Sequence, residues 1–194
     1  MVFEIFGIKF YLSYVFVSLL TAFAAIDKSR LFLPTLFSVI LHEAAHLFIL
    51  LAFGCKIRKI KFTIGEIGIE YITPPDKTSS ILSLLAGPIT NLIVSYFFFC
   101  FSFELLFGLN LILGIVNLLP IIGLDGGSIV EKLLEGYINP RLSKIILFLA
   151  SVCSSLALLT INRMFLNNNF SIIIFSLYLI LPVILKYLLK ENRF

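Results

Sequence analysis

Charged residues are sparse and unevenly placed along this chain. Uncharged or nearly uncharged runs fall at residues 10–26, 31–53, 79–103, 105–124, 142–162 and 170–185. About 20 apolar residues cross the hydrocarbon core of a bilayer as a helix. The pattern therefore predicts six transmembrane helices, the last extending to Leu189 if Lys186 snorkels to the interface. Only Glu104 and Gly108 separate the third run from the fourth. Between helices two and three the period changes. Ile60, Phe62 and Ile64 alternate with Lys61 and Thr63, and after Gly65-Glu66 the residues Ile67, Ile69 and Tyr71 alternate with Gly68 and Glu70. A period of two on both sides of a turn predicts a short β-hairpin, with a plain connecting loop as the other reading. The expected fold is an all-α polytopic membrane protein with six transmembrane helices and a small β-hairpin between helices two and three. It would form a single domain over 1–194, with a core at about 31–130 and helices five and six within 142–189.

Composition sharpens this picture. With 60% hydrophobic residues, 21 Phe and only 13% charged residues in 194, a water-soluble domain is excluded. Ala22-Phe23-Ala24 resembles a signal-peptidase site, but the segment before it carries both Glu4 and Lys9 and no net positive charge. A retained first transmembrane helix is expected. Six helices put Lys9, the cluster from Lys56 to Lys77, Lys132, Arg141, Lys144, Lys186, Lys190 and Arg193 on one side. That is twelve basic residues, against Lys28, Arg30 and Arg163 on the other. The positive-inside rule then places both termini in the cytoplasm of a multi-pass cell-membrane protein. The net charge of +4 is read as orientation, and no nucleic-acid partner is expected. Cys55, Cys100 and Cys153 are odd in number and far apart, so they suggest neither a disulfide framework nor a thiolate zinc site.

The second run holds the candidate chemistry. It contains Ile40-Leu41-His42-Glu43-Ala44-Ala45-His46-Leu47, and His42 and His46 are the only histidines in the chain. On a helix they lie one turn apart on one face, where two imidazoles can hold one zinc ion. Glu43 lies about 100° round the helix from His42, within reach of a zinc-bound water as general base. His-Glu-x-x-His on a helix is a zinc-hydrolase signature. Three ionisable groups inside an apolar span are costly and point to function rather than to packing. One Zn2+ per chain is expected.

A catalytic zinc usually takes a third protein ligand. The fourth run ends Asn117-Leu118-Leu119-Pro120-Ile121-Ile122-Gly123-Leu124-Asp125-Gly126-Gly127, and Asp125 is the best candidate; its bland reading is an Asp-Gly turn at a helix end. His46 lies about ten residues before Lys56, roughly 15 Å along a helix axis, and Asp125 lies just before Glu131-Lys132. Both therefore fall in the cytoplasmic half of the bilayer. Glu131 and Glu135 are rival ligands, the expected choice for a prenyl-protein-protease type of zincin, but they lie outside the apolar span. The third run contains Leu85-Ala86-Gly87-Pro88-Ile89-Thr90-Asn91, which predicts a kink or a close helix approach, with Asn91 needing a polar partner at membrane depth.

With His42-Glu43-x-x-His46 on an early span and Asn117-x-x-Pro120-x-x-x-x-Asp125-Gly126 on a later one, the sequence resembles the site-two protease family of intramembrane zinc proteases. Ala86-Gly87-Pro88-x-x-Asn91 resembles a family element between those motifs. The six-span layout and the residues from Asn117 to Gly127 look most like the bacterial stage IV sporulation protease branch. That branch often has a proline where Gly123 stands here, and neither its CBS domain nor the PDZ domain of the envelope-stress branch is expected. The resemblance implies zinc on His42, His46 and Asp125, with Glu43 as general base. It also implies that Asn117, helped by Asn91, binds substrate backbone or stabilises the oxyanion. The expected substrate is a membrane protein cut in or near a transmembrane segment, including a transcription-factor precursor. A membrane regulator and self-association are compatible with this reading. The rival class is a zinc transporter or sensor without proteolysis. Transporters commonly spread ligands over several spans and carry inverted repeats, and no repeat is visible here.

Overall fold

A computed structural model describes residues 2–165, except 6, 29, 64 and 65. The chain divides into two compact units, Met1–Gly114 and Ile115–Phe194.

The first unit opens with strands β1 (Val2–Ile5) and β2 (Ile8–Leu12), followed by helices α1 (Tyr14–Ile26) and α2 (Phe32–Ala52). Strands β3 (Lys56–Thr63) and β4 (Glu66–Thr73) come next, then helices α3 (Lys77–Cys100) and α4 (Glu104–Asn117). The four strands form one sheet in the order β1-β2-β3-β4. β3 and β4 pair antiparallel, as the alternation over 60–72 predicts, with a register shift between Ile57 and Lys59. β2 pairs parallel to β3, with Lys9 opposite Lys59 and Leu12 opposite Phe62. The ladder runs on through Ser13, whose N–H donates to the Phe62 carbonyl at 3.0 Å. Ser13 then caps α1 by accepting from the Phe16 N–H at 3.1 Å.

β1 and β2 extend the expected hairpin into a four-stranded sheet and change the reading of the first run. The run 10–26 is not one continuous helix: it begins in β2 and continues as a helix of 13 residues. Lys9 and Tyr11 alternate with Phe10 and Leu12, and a partner strand in β3 satisfies their backbone groups where a helix would otherwise be needed. Among the described residues, three helices are long and apolar enough to cross a membrane: Phe32–Ala52, Lys77–Cys100 and Pro140–Thr160. α1 and α4 are apolar but shorter. The break between the third and fourth runs falls at Phe101–Phe103, where Ser102 takes φ 59°. The sixth run, 170–185, lies outside the described residues.

The packing of α2 on α3 follows from spacing. The buried residues of α2 are Ser38, His42, His46 and Leu50, four apart. Those of α3 include Ser79, Ser83, Gly87, Asn91 and Ser95, also four apart. Two rows of this kind interdigitate, and small residues on one row let the backbones approach closely. The contacts run antiparallel: Asn91 meets Ser38 and His42, and Ser83 meets His46. α4 joins the pair through Asn110 and through Gly114, which lies against Leu92 and the Pro88 carbonyl.

α3 starts on a charged cap. Asp76 accepts from the Ser79 N–H at 3.2 Å, and its side chain also bonds the Ser79 hydroxyl. These bonds favour the carboxylate and hold its pKa below the ordinary value of 3.8. A depressed carboxylate supports the fold above its unfolded-state pKa, and that support is lost as pH falls through the lowered value. Asp76→Ala should therefore speed amide exchange over the first turn, residues 77–80, at neutral pH, whereas Asp76→Asn should largely preserve protection.

The second unit contains the end of α4, a tight turn over 118–124, α5 (Asp125–Leu134) and α6 (Pro140–Phe165). Ile121 is fully buried in that turn against Leu119, Ile122, Leu124, Phe148 and Leu158. The Ile122 N–H donates to Ser151 Oγ at 3.0 Å, and Ser151 Oγ donates to the Leu147 carbonyl at 2.7 Å, which fastens the turn to α6. Gly123 has φ +97°. Proline is confined near −65°, so the proline of the sporulation branch cannot occupy this conformation.

Candidate metal centre

Both histidines are buried, with relative exposures of 6% for His42 and 8% for His46. Their rings lie edge to face with centroids 4.6 Å apart. Each Nδ1 has a partner on α3. His46 Nδ1 lies 2.7 Å from the Ser83 carbonyl. A carbonyl can only accept, so His46 carries its proton on Nδ1. His42 Nδ1 lies 2.7 Å from Asn91 Oδ1. The Asn91 amide nitrogen donates to Asn110 Oδ1 at 2.9 Å and to the Ser38 carbonyl at 3.4 Å, so the oxygen is the end that faces His42. His42 is therefore protonated on Nδ1 as well. In both neutral rings the lone pair then sits on Nε2, the form in which imidazole ligates a metal.

Ser83 ties the pair in the other direction, its Oγ donating to the His46 carbonyl at 3.0 Å. Pro88 has no N–H to give to the carbonyl of Leu84, next to the carbonyl that His46 uses. Gly87 lies directly against both rings: a Cβ there would sit 2.5 Å from His46 Cε1 and Nε2 and 2.8 Å from His42 Cε1. Glu43 follows His42 on α2 and is half-buried.

Asp125 is the first residue of α5, where the helix N-terminus favours a carboxylate. The two glycines after it are a steric requirement. A Cβ on Gly126 would collide with the Leu118 and Leu119 carbonyls, and one on Gly127 with the Ile121 carbonyl. Asn117 ends α4 and is half-buried. His42 and His46 share one buried face of α2 in the first unit, and Asp125 opens α5 in the second. Two imidazoles set for Nε2 donation and one carboxylate are a donor set that fits zinc.

Asn91 is placed differently from the expectation that it assists substrate. It is fully buried, and its amide is committed to His42, Ser38 and Asn110. Asn110 and Ser83 went unremarked in the sequence. The four-residue spacing of small and polar residues from Ser79 to Ser95 was the signal that could have led to Ser83.

Residues 100–159 match the model of peptidase family M50, a stretch that contains Asn117 and Asp125 and begins after the two histidines. A curated zinc metalloprotease of Methanocaldococcus jannaschii is 32% identical over 199 residues, covering 91% of this chain. The solved structure of a site-2 protease from the same organism superposes with a TM-score of 0.64 at 25% identity, over 94% of this chain and 93% of that one. These matches support the M50 (site-2 protease) family. The chain spans 57% of the length of that curated zinc metalloprotease. With three helices apolar enough to cross a bilayer among the described residues, the M50 match also points to a membrane protein.

Proposed function

We propose that this chain is an intramembrane zinc metalloendopeptidase that cuts a membrane protein in or near a transmembrane segment. The observation that carries the reading is the buried pair of imidazoles, both held as Nδ1–H tautomers by α3. The M50 match supports it. In this reading His42, His46 and Asp125 hold the ion. Bound zinc would lower the pKa of a water to about 7 and polarise the scissile carbonyl. Glu43 accepts a proton from the attacking water and delivers it to the leaving nitrogen. Asn117, and not Asn91, is the residue assigned to substrate backbone or oxyanion.

A helical substrate hides its carbonyls in its own hydrogen bonds, so cleavage needs local unwinding. β4 is the last strand of the sheet and has one strand neighbour, β3. Its other edge is suited to receive the unwound segment as an added strand. Substrates should then carry helix-weakening residues near the cut. The strand pairing of Lys9 beside Lys59 agrees with their assignment to one side of the membrane, which charge bias makes the cytoplasm, with both termini there. Regulated proteolysis of a transcription-factor precursor, as in the sporulation branch, is the finer proposal, together with a membrane regulator and self-association.

The test is cleavage of tagged membrane-spanning peptides by the chain in proteoliposomes. Cleavage should stop on chelation and return with added zinc. Zinc flux into the vesicles without cleavage would instead favour a transporter. Asp125→Asn should lower zinc affinity by about 10–100-fold, the scale found even for residues that merely support ligands, while Glu131→Ala should leave it unchanged. Equal zinc content in the two variants would point to a different third ligand.

A further inference from the structure

Asn91 presents its oxygen to His42, but an amide can be turned over at almost no steric cost. Turned over, it would offer N–H to His42 Nδ1. The ring proton would then have to move to Nε2, the atom a metal needs. Something must forbid that arrangement, and the structure shows what does. Asn91 Nδ2 donates to Asn110 Oδ1 at 2.9 Å, its shorter bond, and to the Ser38 carbonyl at 3.4 Å. Asn110 Nδ2 donates in turn to the Leu106 carbonyl at 2.8 Å and to Ser38 Oγ at 2.9 Å. Ser38 Oγ donates to the Pro34 carbonyl at 3.0 Å. Both branches end on backbone carbonyls, which accept and never donate. The direction of every bond back to His42 is therefore determined. Asn91, Asn110 and Ser38 are all fully buried, so water has no access to substitute for a missing partner.

We propose that Asn110, on α4, is a positioning residue for the metal centre: through Asn91 it fixes which nitrogen of His42 carries the proton. This rests on the reading of His42 as a metal ligand. Asn110 touches neither histidine in this scheme, and its influence is electrostatic order passed across three helices. His46 provides an internal control, because its Nδ1 is held by the Ser83 backbone and needs no relay.

The experiment uses the full chain in detergent, labelled with 15N in its two histidines. In the metal-free wild type both rings should report Nδ1–H by long-range 1H–15N correlation. In Asn110→Leu, His42 should show an appreciable fraction protonated on Nε2 while His46 stays unchanged. Co2+ affinity, read from its absorption bands, should fall about 10–100-fold. Should Asn110→Leu fail to fold, Asn110→Ala removes the same acceptor without added volume and is read in its place. An unchanged His42 tautomer overturns the proposal. So does an equal change at both histidines, which would mark general loosening of the helices, and so does failure of both variants to fold. The zinc reading fails separately, if His42→Ala leaves Co2+ affinity at the wild-type value while the tautomer result stands.

Discussion

Replacing Glu43 by Gln is expected to end peptide cleavage while zinc stays bound. Gln has the shape of Glu but cannot hold a proton taken from water. The loss should be at least the roughly 10²–10⁴-fold that a general base contributes. The substitution should leave the scaffold intact, because Glu43 lies off the row of Ser38, His42, His46 and Leu50 that packs on α3. Nor does it remove any donor of the metal group. The check pairs zinc content with initial cleavage rate on one reconstituted preparation. A variant that keeps both would require a base elsewhere in the chain. A variant that loses both would make Glu43 part of the metal centre's support.

The second large effect is expected at a residue with no side chain. Gly87→Ala places a methyl group 2.5 Å from two atoms of the His46 ring and 2.8 Å from His42. Neither ring can simply retreat. Each is tethered at Nδ1 by a 2.7 Å hydrogen bond to α3, the helix that carries the new methyl group. The remaining response is to spread α2 from α3, and overpacking of this kind costs about 1–3 kcal/mol. Spreading also turns the Nε2 atoms out of register with a shared ion. Zinc affinity should fall at least as far as when a supporting hydrogen bond is lost, about 10–100-fold. Thermal unfolding and zinc titration together check this. Normal zinc binding by Gly87→Ala would show that the helices do not approach as closely as described. Gly108→Ala, where nothing lies within 4 Å of the added atom, is the matched control.

Much of the proposed metal centre is legible in the sequence because its strongest signal is local. His42, Glu43 and His46 fall within two turns of one helix, and their geometry follows from the helical repeat alone. Asp125 was a weaker inference, since an Asp-Gly at a helix end is ordinary and only the need for a third ligand, a matching depth and a resemblance joined it to the histidines. The layer behind the ligands was hidden for a different reason. Asn91 and Asn110 are single polar residues in apolar runs, and which groups they meet depends on how three helices cross. A lone Asn at membrane depth signals that a partner exists without saying which. Gly87 was seen as a close-approach position, but the approaching groups could not be named.

The fold was read unevenly for similar reasons. The β3–β4 hairpin announced itself by alternation on both sides of a turn. β2 did not, because its five residues adjoin a longer apolar helix and an absence of charge was taken for a single span. Parallel pairing with β3 leaves no mark on neighbouring residues. Gly123 shows the reverse case: its φ of +97° explains why a residue without a side chain stands where a related branch has proline.

That parallel pairing also sets an order of assembly. More than forty residues separate Leu12 from Lys56, and all of α1 and α2 lies between them. During synthesis at about 5–20 residues per second, β2 waits roughly 2–10 s before its partner strand leaves the ribosome. Through that interval β1 covers only one of its edges. The sheet closes only once α1 and α2 have brought the chain back beside β2. Closure is thus a late event of synthesis: a nascent chain in which α1 and α2 do not bring β3 alongside β2 has no ladder to complete, and one edge of β2 stays open.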